Sequence, residues 1–159
     1  MSSLLVKNPG ISKYFIGSDV VYGNQAKSIL LNDNDIDFEN WEELCVSLTH
    51  SSLEKYKTDI CLTILGEAGP LSSSKYAVGT IFICISNGDK TVITDHKMNG
   101  NREEILQRSA NKAQWELIKF IKNLYYNICS SKIVIQRCFN IYLLLLKRRK
   151  KWIKTGQKN

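Results

Sequence analysis

Histidine is almost missing from this chain: His50 and His96 are the only two, and they stand far apart. That scarcity argues against a zinc site and leaves little support for a Cys–His nucleophile pair. The five cysteines, Cys45, Cys61, Cys84, Cys129 and Cys138, include no pair at CxxC spacing. Their number is odd and three lie inside apolar runs, the pattern of reduced, buried thiols in a cytoplasmic protein and not of a disulfide framework. No apolar stretch approaches the roughly 20 residues a helix needs to cross a bilayer. The first ten residues hold one lysine and only the short apolar run Leu4-Leu5-Val6, too little for a secretory signal. Acidic residues stop at Glu116.

What is present is the composition of a globular protein. At 159 residues the chain has room for one ordinary domain and a short appendage. The net charge of +7 is not spread evenly. Residues 147–159 carry seven of the 22 basic side chains and none of the 15 acidic ones, so the preceding 146 residues are neutral overall. The character of the chain changes near residue 125, which divides a domain at 1–124 from an apolar and then basic extension at 125–159. Lys147–Lys151 with Trp152 is the kind of run that touches nucleic acid or an anionic membrane, but a solvated end is the better reading, and no nucleic-acid partner is expected.

Within the domain, Tyr14-Phe15-Ile16 and Val20-Val21-Tyr22 bracket Gly17 and predict a strand with a bulge. Gln25–Leu31 reads as a short helix and the acidic stretch Asn32–Asn40 as a loop. Asn40 is placed to cap a helix, with Glu43 reaching back to the cap's own N–H, and Trp41, Leu44, Cys45, Leu48, Ser52 and Tyr56 share one face of it. Ile60–Leu65 and Val78–Ser86 have the composition of buried strands. Asn87–Lys90 joins the second to a third strand at Thr91–Thr94. Asn101 caps the clearest helix, with Glu103 and Glu104 in its first turn and an apolar stripe of Leu106, Ala110, Ala113, Leu117, Phe120, Ile121 and Leu124. Strands separated by helices indicate a layered α/β domain.

Hydrolysis without a metal, a Cys–His pair or a Ser–His–Asp set needs another means of activating a hydroxyl. A lysine whose pKa is depressed by burial is one. Ser12, Tyr22 and Lys27 flank the predicted strand and the short helix after it, so they are candidates to converge. Gly66, Ala68 and Gly69 follow a strand and allow backbone N–H groups to approach a ligand, although a plain strand-exit turn has the same composition. Arg102, beside the cap of the long helix, is placed to hold a phosphate or carboxylate with the helix's free N–H groups, or to form a structural ion pair.

The order of these features is informative. Gly10-Ile11-Ser12-Lys13-Tyr14-Phe15 followed by Val21-Tyr22-Gly23-Asn24-Gln25-Ala26-Lys27 resembles the GSSxxF…VTYSNEAK stretch of the CinA C-terminal family. Thr63–Pro70 (TILGEAGP) resembles its GIAGP strand and loop, Val78-Gly79-Thr80 its VGT, and Gly100-Asn101-Arg102-Glu103 its GDR or GNR helix start. The resemblance covers about residues 3–124. It implies a three-layer α/β/α sandwich that hydrolyses the carboxamide of nicotinamide mononucleotide to nicotinic acid mononucleotide and ammonia, without a cofactor, and an oligomer by analogy. It further implies catalytic roles for Ser12, Tyr22 and Lys27, and substrate contacts from Asn24, Gly66, Ala68, Gly69 and Arg102.

Against the family pattern, the first helix, the first strand and a Gly-rich SCTGG loop are expected to be missing ahead of Gly10. Glu67 stands where the family has a small apolar residue, and Gly23 where it has serine. A carboxylate ~4 Å from a phosphorylated substrate costs on the order of 4 kcal/mol at an effective dielectric near 20. Two readings therefore remain: an active amidohydrolase, or an inactive CinA-like remnant serving for binding or oligomerisation. A lost strand also leaves an edge to be covered, and Ile133–Leu146 is the apolar segment available for it.

Overall fold

The computed structural model describes residues 1–128 apart from Asn34 and Ser73, with side chains to residue 124. The segment Ile133–Leu146 and the basic tail lie outside the described residues. The chain forms two compact units, Met1–Leu117 and Ile118–Asn159. Among the described residues four helices and three strands follow in the order α1 (Ser2–Leu5), α2 (Asn24–Leu31), α3 (Trp41–Tyr56), β1 (Cys61–Gly66), β2 (Thr80–Ser86), β3 (Thr91–Lys97) and α4 (Arg102–Ile128). A single turn of 3-10 helix, Ile11–Lys13, lies between the first two helices.

The strands make one antiparallel sheet in the order β1-β2-β3. Cys61 pairs with Ser86 and Gly66 with Ile81 across the first ladder; Thr80 pairs with Lys97 and Ser86 with Thr91 across the second. The Asn87–Lys90 turn closes as its composition predicts, with Asn87 Oδ1 accepting from the Lys90 amide at 2.8 Å. β2 is the spine of the sheet. Side chains alternate between faces along a strand, yet Ile81, Ile83 and Ile85 on one face and Thr80, Cys84 and Ser86 on the other are all buried. A strand buried on both faces belongs to a layered domain and not to a two-layer sandwich with one wet side.

α3 covers the Cys84 face. Its Trp41, Leu44 and Leu48 form a cluster joined by Val21, Leu30, Leu31, Leu65, Tyr76 and Phe82. The Trp41 ring stacks on Tyr76 at 4.4 Å and meets Phe82 edge-on at 6.4 Å. Such aromatic pairs contribute about 0.5–1.5 kcal/mol beyond the area they bury. The helix starts where Asn40 caps it, Oδ1 accepting from the Glu43 amide at 3.3 Å. Glu43 returns the contact to the Asn40 side-chain amide at 3.0 Å, and not to the backbone N–H that the sequence pattern suggests. Cys45 and Cys84 are buried and free, and Cys61 is half-buried and free. The Cys45 thiol donates to Cys84, and burial adds to that bond in pushing its pKa up, so it stays a protonated, inert thiol.

Two expectations fail. No strand forms over Tyr14–Tyr22: among the described residues, none of residues 16–22 takes part in a backbone–backbone hydrogen bond. The period-2 alternation is nevertheless there, with Phe15 and Val21 half-buried and Tyr14, Ile16, Val20 and Tyr22 exposed. Alternation states which side faces in, but a strand also needs a neighbour for its amides. On α4 the innermost residue of the first turns is Ile105, with Ser109, Ala110 and Ala113 buried below it, while Leu106 is exposed. Ser109 is polar, yet its hydroxyl donates to the Ile105 carbonyl at 2.6 Å and so needs no solvent.

Candidate active site

Asp19 supplies the anchor for the site. Its carboxylate accepts from Lys55 Nζ and from the Tyr56 hydroxyl, both at 2.7 Å, which clasps the segment 16–22 to the end of α3. The Lys55 and Tyr56 hydrogen bonds hold the Asp19 carboxyl below its ordinary pKa. Gly17 lies against the same ring, a Cβ there reaching Tyr56 at 3.4 Å. Nothing in residue-by-residue pattern reading singles out Asp19, because its two partners lie 36 and 37 residues away.

The clasp leads directly to Tyr22, Asn24 and Lys27, where α2 begins. Gly23 precedes the helix without a capping side chain. Lys27 reaches back across the first turn, donating to Asn24 Oδ1 at 3.1 Å and to the Tyr22 carbonyl at 3.4 Å. Its amine is half-buried, and desolvation pulls its pKa down. From the other side Arg102, the first residue of α4, donates to the Tyr22 hydroxyl at 3.3 Å and to the Gly69 carbonyl at 2.6 Å. One tyrosine thus meets Lys27 through its backbone and Arg102 through its ring. Five of the eight candidate residues, Tyr22, Asn24, Lys27, Gly69 and Arg102, are joined in one hydrogen-bonded cluster.

The start of α4 is independently fixed. Asn101 and Glu104 form a reciprocal capping box: the Glu104 amide donates to Asn101 Oδ1 at 3.0 Å and the Asn101 amide to Glu104 Oε2 at 2.9 Å. Arg102 is carried on that turn.

The Gly66–Pro70 loop differs from an open anion cradle. Gly66 is the last residue of β1, paired with Ile81. A Cβ on it would collide with Ile81 and the Thr80 carbonyl, so glycine here serves sheet packing. Ala68 and Gly69 are buried. The Gly69 amide points to Glu67 Oε1 at 3.5 Å, and Glu67 is itself buried. The residue that looked like a repulsive charge facing the ligand is therefore turned into its own loop. Gly69 has φ +77, and a Cβ on it would stand 2.8 Å from Val78, so the position requires glycine twice over.

Ser12 stands apart. It lies in the Ile11–Lys13 turn on the wall of an open depression of about 460 Å³, with Val6, Asn8, Phe15 and Ile16. No hydrogen bond among the described residues links it to Tyr22, Lys27 or Arg102. Among the described residues no group of His, Cys, Asp and Glu side chains is arranged to hold a metal ion, and no helix is long and apolar enough to cross a membrane.

Fold and site together define a small α/β domain in which the segment ahead of α2, two helix starts and a strand-exit loop gather a lysine, a tyrosine and an arginine. Residues 1–121 match the CinA C-terminal domain, and the chain belongs to that family. It is 35% identical over 127 residues to a CinA-like protein of Thermotoga maritima, and 29% identical over 130 residues to one of Petrotoga mobilis. Those alignments cover 77% and 79% of this chain but 31% and 32% of the relatives, so the chain spans about a third of their length. The fold is similar to a CinA superfamily protein from Enterobacter cloacae, with a TM-score of 0.68 at 20% identity over 73% of this chain and 72% of that one. A superfamily member from Escherichia coli gives 0.66 at 17% identity, covering 75% and 72%.

Proposed function

We propose that this domain hydrolyses the carboxamide of a nicotinamide mononucleotide-like substrate, releasing ammonia and the corresponding carboxylate. The observation that carries the reading is the Tyr22–Lys27–Arg102 cluster, in which a lysine amine with a lowered pKa lies one turn from a tyrosine held by an arginine. Desolvation favours the neutral form of this amine, and the neutral amine accepts a proton from the attacking hydroxyl or water; the same proton is then available to the departing ammonia. Arg102 supplies fixed positive charge where an anionic substrate group or the tetrahedral oxyanion needs it. Asn24 orients Lys27 and offers its remaining amide hydrogens to the substrate. Gly69 positions Arg102 through its carbonyl. Ser12 enters this scheme only as a second hydroxyl brought close by substrate.

A specific observation favours a second reading, a CinA-like module that binds or assembles without catalysis. The Gly69 amide is turned toward buried Glu67, which withdraws one of the loop donors a phosphate would use. Incubation of the purified chain with nicotinamide mononucleotide, with ammonia as the readout, separates the two. The hydrolytic reading requires release by the parent and its loss in Lys27→Ala and Arg102→Ala. A folded parent that releases no ammonia above the rate in buffer leaves only the binding module.

A further inference from the structure

Glu67 is the one carboxylate in the Gly66–Pro70 loop, and the backbone fixes where it goes. Its amide donates to the Thr80 carbonyl at 3.0 Å and its carbonyl accepts from the Gly79 amide at 2.7 Å, so the pairing of β1 runs one residue past Gly66. Residues two apart in a paired strand share a face. Leu65 joins the Trp41 cluster together with Leu30 and Leu31 of α2, which places Glu67 on the side of the sheet where α2 carries Lys27. There it is 8% exposed.

The loop's donors are largely committed. The Glu67 amide goes to Thr80, the Gly69 amide points to Glu67 Oε1 at 3.5 Å, and Pro70 has no N–H to offer. The Gly69 carbonyl in turn accepts from Arg102 at 2.6 Å, so one glycine stands between a carboxylate and the guanidinium. Their opposite charges offset each other at the site. Desolvation also disfavours the ammonium form of Lys27, the other basic group of the cluster. A phosphate monoester brings about −1.5 to −2 charges at neutral pH and asks for several donors at once. An N-ribosylated pyridine carboxamide without phosphate brings a single fixed positive charge on its ring. A site in which a buried carboxylate balances the arginine suits the second and repels the first.

We propose that Glu67 is a specificity-determining residue that turns this site toward the phosphate-free nucleoside of a pyridine carboxamide in preference to the mononucleotide. The inference rests on the hydrolytic reading and names its substrate class. Water adds to the carboxamide carbon, the C–N bond breaks, and ammonia leaves the carboxylate behind, with no oxidant or reductant required. Arg102 spends two donors on neutral acceptors, the Gly69 carbonyl and the Tyr22 hydroxyl, and with no phosphate to hold its remaining N–H groups face the tetrahedral oxyanion.

Ammonia release from nicotinamide riboside and from nicotinamide mononucleotide, compared as kcat/KM on the full chain, tests the proposal. The parent is expected to use both and to favour the riboside by about tenfold or more. Glu67→Ala, which removes the carboxylate and releases the Gly69 amide, moves that ratio about tenfold or more toward the mononucleotide. Glu67→Gln keeps the acceptor, loses the charge and moves the ratio part of the way; as the near-isosteric change it carries the test if circular dichroism shows Glu67→Ala to be unfolded. A parent that prefers the mononucleotide overturns the proposal. So does a pair of variants in which both rates fall together and their ratio stays fixed, the signature of a carboxylate that only supports the loop. Where neither compound releases ammonia the hydrolytic reading fails by itself. Calorimetric affinities of parent and variants for the same two compounds then decide the specificity claim, which falls unless the riboside binds tighter to the parent and the Glu67 variants reverse the order.

Discussion

Lys27 shows how much rests on one side chain. Burial disfavours its ammonium form, so the amine becomes neutral at a lower pH than a solvated lysine. If the neutral amine is the base, ammonia release rises with pH through that lowered pKa. Lys27→Arg, which cannot deprotonate in the working range, reduces release by about 10²-fold or more at every pH, as a pH–rate profile of the two proteins would show. The stability linkage has the same direction: a lowered folded-state pKa penalises the fold below that pKa, and the penalty is relieved as pH rises toward the unfolded value. Glu67 makes the opposite case, a charge whose identity was plain and whose direction was not. Glu67→Gln keeps an acceptor for the Gly69 amide and removes the charge; phosphate or nucleotide affinity, measured by titration calorimetry, is expected to rise if a ligand phosphate sits at this loop.

At the scale of elements, caps were legible and the pairing of the first segment was not. Asn40 and Asn101 precede apolar-periodic runs with a glutamate three residues on, and both side chains accept from that glutamate's amide, although only Glu104 returns a bond to the cap's backbone N–H. Asn40→Ala is expected to lower stability by about 1 kcal/mol in denaturant titration, without altering the fold. The 14–22 segment had the right residues for a strand, but sequence pattern carries no information on whether a neighbour exists. Its attachment comes instead from the Asp19 clasp. Because the Asp19 pKa is depressed in the folded state, the clasp contributes fully above the unfolded carboxylate value of about 4 and is lost as pH falls through the lowered value. Asp19→Asn should therefore flatten the acid limb of the stability curve and speed proteolytic cleavage within residues 16–22, with little change near β2.

For the molecule as a whole, stability resides in the two faces of β2. Leu48, 2% exposed, is central to the α3 side. Leu48→Ala is expected to cost about 2–5 kcal/mol, read as a shift in the denaturation midpoint, with the loss set by how far Trp41 and Phe82 relax into the gap. The family alignment spans about a third of the longer relatives, and this unit is the part of them that the chain shares.

Local chemistry alone determined the helix starts, the β2–β3 hairpin, the buried thiols of Cys45 and Cys84, and the order of motifs that marks the CinA C-terminal domain, because each depends on residues a few positions apart. Tertiary structure decided which way Glu67 points, that Lys27 reaches Asn24 while Arg102 bridges Tyr22 and Gly69, that Ser12 lies off the cluster, and that residues 16–22 make no backbone–backbone hydrogen bond among the described residues. Those outcomes turn on contacts between groups tens of residues apart, and a linear pattern has no term for the presence or absence of a neighbour in space.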